Sequence, residues 1–320
     1  MYPLVSICVP IYNVSPYIER CARSLMEQTY ENIEYVFVDD GSEDNSLALL
    51  QEVVAHYPAR QKQVHIFRND RNCGTAYTRR LYTEKAKGEY IICVDADDYI
   101  ELNMAQCMVD KAKETNADIV VAAYYDESNT KQIVLPCYSE NQKDYLQIAL
   151  ADTLPYLWNK LIRRSLFTEG RSCYTPAGMN YLEDRLMLLQ LFSKVTSMAT
   201  VDQPLYHYIH RKDSISQNKN KYHFRCLIQY WKEADKLLEE MNLTEKYGVL
   251  VGSQKIADKA HLLMFCDNQS RKLFADLYAE EEQKFKPALS RGVALMYWLT
   301  KHHLWVLTYC YQSYIKCLEP

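Results

Sequence analysis

Five short apolar runs alternate with helix-length segments through residues 4–123, and this alternation constrains the fold more than any other feature of the chain. Residues 4–9, 34–38, 64–67, 90–94 and 118–123 are rich in β-branched and aromatic side chains and too short for ordinary helices, so they read as buried strands. The segments between them repeat apolar residues at helical spacing, with Ile18, Cys21, Ala22 and Leu25 in the first and Leu47, Leu50 and Val54 in the second. Ser15, followed by Pro16, is placed to open the first helix, and Ser42 or Asp44 the second. A third helix runs through Lys85, and a fourth spans 102–115. Strands and helices in this order predict an α/β fold with a parallel sheet and right-handed crossovers. Loops 10–13, 39–42, 72–80 and 95–98 then gather at the carboxyl edge of the sheet, where open sheets of this kind bind ligands.

One of these runs, YIICVDADDYI at 90–100, ends in carboxylates. In an extended chain Asp95 and Asp97 share a side while Asp98 points across. Neighbouring carboxylates resist joint ionisation unless a cation sits between them, so a divalent metal is the expected occupant; solvated turn residues are the plain alternative. The other loops at this edge carry nucleotide chemistry. Tyr12 can stack on a base, Asp40 can accept from a base imide or ribose hydroxyl, and Arg79 can meet phosphate. Neither a G-x-G-x-x-G turn nor a Walker loop occurs among the eight glycines, so a diphosphate would be held by metal and side chains.

In that order and spacing, VSICVPIYN, VFVDDGS, NCGTAYTRR and EYIICVDADD resemble the family 2 inverting glycosyltransferases, whose fold is of the GT-A type. The resemblance implies a Rossmann-like, parallel-centred sheet flanked by helices. It also implies a nucleotide-sugar donor, a UDP-sugar by preference, with Mn2+ or Mg2+ as cofactor. By the same resemblance Pro10, Tyr12 and Asn13 line the nucleoside site, Asp40 contacts the base, Asp95 lies near the ribose and Asp97 coordinates the metal, with Asp95 a second ligand. The chain departs from the family pattern at Arg80, which stands where an Asn is common, so either Arg79 or Arg80 faces the phosphates. Farther along, Glu183-Asp184 matches the family's general-base pair, with Asp184 in the base position. Read alone, this pair is equally an acidic first turn ahead of the apolar Leu186, Leu189 and Phe192. A carboxylate held ionised there can take a proton from an attacking hydroxyl.

The irregular, tyrosine-rich middle contains Trp158-Asn159-Lys160-Leu161, which resembles a segment of the bacterial surface-polysaccharide members and reads equally as a buried corner anchor. The acceptor implied is a lipid-linked or growing cell-surface polysaccharide. Residues 205–211, with Ser214 and Ser216 beyond, carry groups suited to close over a diphosphate, Arg211 as phosphate partner and His207 or His210 as a further metal ligand. We expect a catalytic domain over 1–220, with its nucleotide half at 1–123 and acceptor half at 124–220, then a helical region over 221–320. Helices are expected at 222–241, 254–267 and 273–285. The last segment, 293–317, suits a helix lying on a bilayer or packed on protein, the first giving peripheral membrane contact.

Composition limits the alternatives. A net charge of −4 gives no basic excess for nucleic acid. Eleven cysteines without a C-x-x-C pair, a strand-like opening and no run long enough to span a bilayer point to the cytoplasm, including the inner face of the membrane. A sugar-nucleotide pyrophosphorylase would need a glycine-rich basic loop that VPIYN does not supply, and a catalytically silent nucleotide-binding module would lack the Glu183-Asp184 pair.

Overall fold

The computed structural model describes residues 2–127, 132–136, 142–170, 173, 175–210, 219–285, 291–304 and 306–308. The chain divides into two compact units, Met1–Arg211 and Lys212–Pro320. In the first unit β1 (Val5–Ile11), β2 (Ile33–Asp39), β3 (Val64–Arg68) and β4 (Tyr90–Cys93) alternate with α1 (Ile18–Met26), α2 (Ser46–Ala55) and α3 (Thr75–Lys85). These four strands pair in parallel, as their spacing requires. Then follow β5 (Tyr99–Ile100), α4 (Met104–Thr115), β6 (Ile119–Glu127), β7 (Gln132–Val134), α5 (Tyr145–Leu150), β8 (Lys160–Arg163), α6 (Ser165–Thr168), α7 (Glu183–Phe192) and β9 (Met198–Ile209).

The nine strands among the described residues form one sheet in the order β3-β2-β1-β4-β8-β6-β9-β5, with β7 paired to β6. The expectation of an unbroken parallel run fails at one place. β8 enters antiparallel between β4 and β6, with Ile91 opposite Ile162 on one side and Val120 opposite Leu161 on the other. Leu161 and Ile162 are adjacent, point to opposite faces and are both fully buried, so this strand is stable only inside the sheet. Alternate residues of the central strands then feed two cores. Ile7, Phe37, Ile92 and Val120 pack under α1, α2 and α4, whereas Cys8, Val38, Ile91 and Val121 pack under α3, α5, α6 and α7.

The first helix also begins later than its sequence suggests. Tyr17, without a side-chain cap bond, precedes Ile18, and Ser15 does not cap the helix. Its N–H donates instead to Asp44 Oδ2 at 2.9 Å, while Asp44 Oδ1 accepts from the Ser46 N–H at 3.0 Å. One carboxylate thus ties the loops after β1 and β2 together, which satisfies donors that a cap would otherwise serve.

The second unit holds α8 (Lys221–Glu240), α9 (Thr244–Phe265), α10 (Asn268–Leu273), α11 (Ala279–Lys284) and α12 (Arg291–Lys301). The helix expected over 273–285 is broken: α10 ends at Leu273, and Tyr278 turns left-handed at φ 61° before α11. The helix expected over 293–317 stops short: α12 ends at Lys301 and His303 turns left-handed at φ 54°, while residues 309–317 lie outside the described residues. Buried Lys259 bonds Glu282, which also meets Lys301 at 3.1 Å and so links α9, α11 and α12. Among the described residues, no helix is long and apolar enough to cross a membrane.

Candidate active site

The loops at the carboxyl ends of β1, β2 and β3 are joined by side chains from the motifs themselves. Asn13 takes a left-handed backbone at φ 49°, its N–H donates to Ser42 Oγ at 3.1 Å, and its Oδ1 accepts from the Glu43 N–H at 2.9 Å. Tyr12, beside it, is 43% exposed, and Pro10 sits opposite Val38 in the parallel pair. Asp40 is buried and organises the loop ahead of α3. Its Oδ1 accepts from Asn69 Nδ2 at 2.7 Å and the Cys73 N–H at 2.9 Å, and its Oδ2 from the Gly74 N–H at 2.8 Å.

Gly74 stands at φ 89° and ψ 160°, a region essentially closed to other residues. A Cβ there would fall 2.4 Å from the Asn180 amide, whose Oδ1 accepts from the Ala76 N–H at 3.3 Å. Gly74→Ala is therefore expected to cost about 1–3 kcal/mol in a thermal or denaturant melt, and to loosen the loop that Asp40 holds.

At the end of β4 the chain does not continue extended. The Asp98 N–H donates to the Asp95 carbonyl at 3.0 Å and closes a turn, so the alternation of sides expected for Asp95 and Asp97 does not apply. Asp98 turns inward and is 1% exposed. It accepts from the Tyr206 hydroxyl at 2.7 Å and the Ile209 N–H at 2.8 Å, while Tyr206 Oη accepts from the Asp95 N–H at 3.1 Å. Burial first, then the charges of Asp97 and Asp95, pushes the Asp98 carboxyl up to about 9.

Arg79 joins this turn to α7. Its Nη2 lies 3.2 Å from Asp95 Oδ1, its Nε 3.5 Å from Glu183 Oε1, and its Nη1 donates to the Tyr82 hydroxyl at 3.2 Å. Arg80, on the outer side of α3, pairs with exposed Glu84 at 2.8 Å. Glu183 and Asp184 occupy the first turn of α7, which Leu182 enters with a left-handed backbone at φ 64°. Burial, with the charge of Asp184 behind it, raises Glu183 to about 7 against the pull of Arg79. Asp184 is raised as well, chiefly by burial, and its Oδ1 accepts from the Arg185 N–H at 2.7 Å.

Sequence reasoning assigned no charge role to Lys160. It is fully buried at the start of β8, where its ammonium bonds the Tyr156 carbonyl and, at 2.9 Å, Asn159 Oδ1. Burial lowers it to about 7, against the charges of Asp184 and Asp152. Its place between Asn159 and Leu161 gives no local sign that it is buried. Asn180 and Tyr206 were likewise missed, since nothing local marks a residue that acts on a loop distant in sequence.

The histidines are committed elsewhere. His210 Nε2 lies 2.7 Å from Asp126 Oδ1, and His207 holds Glu127 and Glu101 at 2.7 and 2.9 Å. Among the described residues, no group of three or more His, Cys, Asp and Glu side chains is arranged to hold a metal. Asp95 and Asp97 at a half-buried turn still suit a hard cation that takes one or two protein carboxylates and completes its shell with substrate phosphate. Arg211 lies outside the described residues.

The family profile described as glycosyl transferase family 2 matches residues 6–176. The protein named "Putative glycosyltransferase EpsH" of Bacillus subtilis (strain 168) is 31% identical over 253 residues, which cover 77% of this chain and 72% of that protein. The chain belongs to glycosyl transferase family 2. EpsJ, an uncharacterized glycosyltransferase of the same bacterium, is 30% identical over 226 residues. That match covers 68% of this glycosyltransferase and 64% of EpsJ, so it spans less than two thirds of that relative. Among solved structures, S. aureus TarS 1-349 in complex with UDP superposes with a TM-score of 0.61 at 18% identity, over 88% of this chain and 87% of that one. At that identity the likeness establishes the fold, which is of the GT-A type.

Proposed function

We propose that this glycosyltransferase moves a sugar, with inversion, from a UDP-sugar to a hydroxyl of a lipid-linked or growing cell-surface polysaccharide. The observation that carries this reading is the Arg79 bridge, which brings the acidic turn after β4 within one side chain of the Glu183-Asp184 pair. A donor's leaving group and an acceptor's base must face the same anomeric carbon, and these two centres supply that opposition.

On the donor side, the exposed ring of Tyr12 offers its face to the uracil, beside Pro10 and Asn13. Asp40 Oδ2, with one bond from Gly74, keeps capacity for a base imide. Asp97 and Asp95 would hold Mn2+ or Mg2+, which when bound supplies positive charge against the negative charge developing on the departing nucleotide. Neither His210 nor His207 enters this set, because their carboxylate partners already engage them. Arg79 keeps Asp95 and Glu183 in register, its Nη2, Nε and Nη1 engaged by Asp95, Glu183 and Tyr82.

On the acceptor side, the Arg185 N–H fixes one oxygen of Asp184, and the other takes the proton as the acceptor oxygen attacks. Glu183, raised to about 7 and held by Arg79, limits the negative charge beside it. Inversion follows from a single base and an in-line attack, as the family resemblance implies. The UDP bound by the TarS fragment supports the choice of nucleotide, and the Trp158–Leu161 segment supports a surface polysaccharide.

We place the reaction in the cytoplasm, in keeping with eleven cysteines spaced without a C-x-x-C pair. Leu295 and Trp298 of α12, 43% and 51% exposed, offer the apolar side for contact with a membrane that carries the acceptor.

Incubation with a panel of UDP-sugars and Mn2+ is expected to release UDP. Formation of pyrophosphate from sugar 1-phosphate and UTP would instead establish the pyrophosphorylase, and neither activity would leave a binding module.

A further inference from the structure

The tyrosine-rich middle of the chain resolves into a layered aromatic stack in which Tyr156 and Tyr208 have no side-chain role above. Tyr206, fully buried, lies 4.3 Å from Trp158 at 21°, and Trp158, 4% exposed, lies 4.7 Å from Tyr156 at 18°. Tyr208 is nearly parallel to Trp158 as well, at 5.4 Å and 8°, and its centroid is 6.2 Å from that of Tyr156. Tyr124 stands edge-on to Trp158 at 4.7 Å and 88°, and its hydroxyl bonds that of Tyr156. Exposure separates the layers. Tyr206 and Trp158 are closed off, while Tyr156, Tyr208 and the edge-on Tyr124 are half-buried, and of these three only Tyr156 and Tyr208 lie nearly parallel to Trp158.

The stack touches the acidic turn through Tyr206, whose hydroxyl donates to Asp98 Oδ2 at 2.7 Å and accepts from the Asp95 N–H at 3.1 Å. The Tyr156 hydroxyl feels the negative charges of Asp152 and Asp184, and the Tyr208 hydroxyl those of Asp98, Asp97 and Asp95. A molecule lying across both rings would reach from the acidic turn toward the base. Aromatic faces carry negative charge and suit partners that present flat, weakly positive C–H groups. A pyranose has such a face, with its hydroxyls on the rim, where carboxylates can receive them. Backing by buried Trp158 and Tyr206 keeps the two rings in place before anything binds, which lowers the cost of ordering them.

We propose that Tyr156 and Tyr208 form the acceptor subsite, a two-ring platform on which a pyranose of the acceptor stacks with a hydroxyl turned to Asp184. This rests on Asp184 as the base, and it narrows the acceptor's reacting residue to a ring sugar rather than an acyclic polyol phosphate.

The test is saturation-transfer NMR on the full chain loaded with UDP and Mn2+, using methyl glucoside, methyl galactoside and methyl N-acetylglucosaminide as probes and ribitol as the acyclic control. The expected result is transfer to the C–H protons of at least one pyranoside and none to ribitol. Tyr156→Ala and Tyr208→Ala should weaken that pyranoside at least tenfold, Tyr156→Phe and Tyr208→Phe should bind within twofold of the parent, and UDP affinity should not change. Equal binding by the Ala variants, equal loss in the Phe and Ala variants, ribitol contacts as strong as those of the pyranosides, or no pyranoside contact would each overturn the platform. Failure of the parent to bind UDP would instead refute the donor reading, so the two failures are distinguishable.

Discussion

Asp184→Asn is expected to lower glycosyl transfer by about a hundred- to ten-thousandfold while UDP binds as tightly as to the parent. Asparagine keeps the volume and can still meet the Arg185 N–H that Asp184 Oδ1 accepts at 2.7 Å, so α7 retains its first turn. Only the capacity to take a proton is lost. General-base assistance supplies on the order of 10²–10⁴ in rate, and an attacking hydroxyl that must shed its proton to solvent forfeits it. The parent's acid limb should also lie well above the range of an ordinary carboxylate, because burial raises Asp184 and takes Glu183 to about 7. Activity then rises with pH as the pair loses its shared proton. The measurement is initial velocity against pH with saturating donor, beside UDP calorimetry on both proteins. Retained transfer would remove Asp184 from the mechanism, and weakened UDP binding would show that the substitution had disturbed more than the base.

Arg79→Met is expected to damage stability and activity together. The guanidinium is 7% exposed and faces Asp95 and Glu183, whose side chains are 28% and 10% exposed. Methionine fills much of the volume but leaves two carboxylates facing one another without a cation. Breaking a buried pair by removing one partner costs about 3–5 kcal/mol, on the order of 10 °C in Tm for a unit of this size. Arg79→Lys restores charge without the fork that reaches both acids, so it should recover part of the stability and little of the rate. A thermal melt of the three proteins checks this. A shift of Arg79→Met below about 2 °C would mean that the bridge holds nothing in place, and an Arg80→Met control should shift far less, because Arg80 and Glu84 pair at the surface with side chains 64% and 55% exposed.

The first four strands were legible because each is a short apolar run between helical repeats, and the parallel pairing of β1 to β4 follows from the crossover length alone. β8 was not, since its antiparallel insertion depends on long-range competition for the sheet interior, which Leu161 and Ile162 win by being apolar on both faces. The acidic cluster was found as a cluster, and Asp98 does stand apart from Asp95 and Asp97, but through a turn and not through strand alternation. Alternation holds only while a chain is extended, and the bond from the Asp98 N–H to the Asp95 carbonyl turns it. Asp98 thereby becomes an internal acceptor for Tyr206 and Ile209. The choice between Arg79 and Arg80 could not be made from adjacent residues of one type, because helix phase decides which faces inward. Lys160 and the Tyr156–Trp158–Tyr208 stack illustrate the same limit: their meaning comes from neighbours many residues away.

Isothermal titration of UDP into the protein with Mn2+ present and after removal of metal by EDTA, repeated on Asp97→Asn, bears on the acidic turn as the seat of the donor. The account expects Mn2+ to tighten UDP at least tenfold in the parent and to have no such effect in Asp97→Asn. Equal affinity in the parent with and without metal, or an undiminished metal effect in the variant, would contradict it.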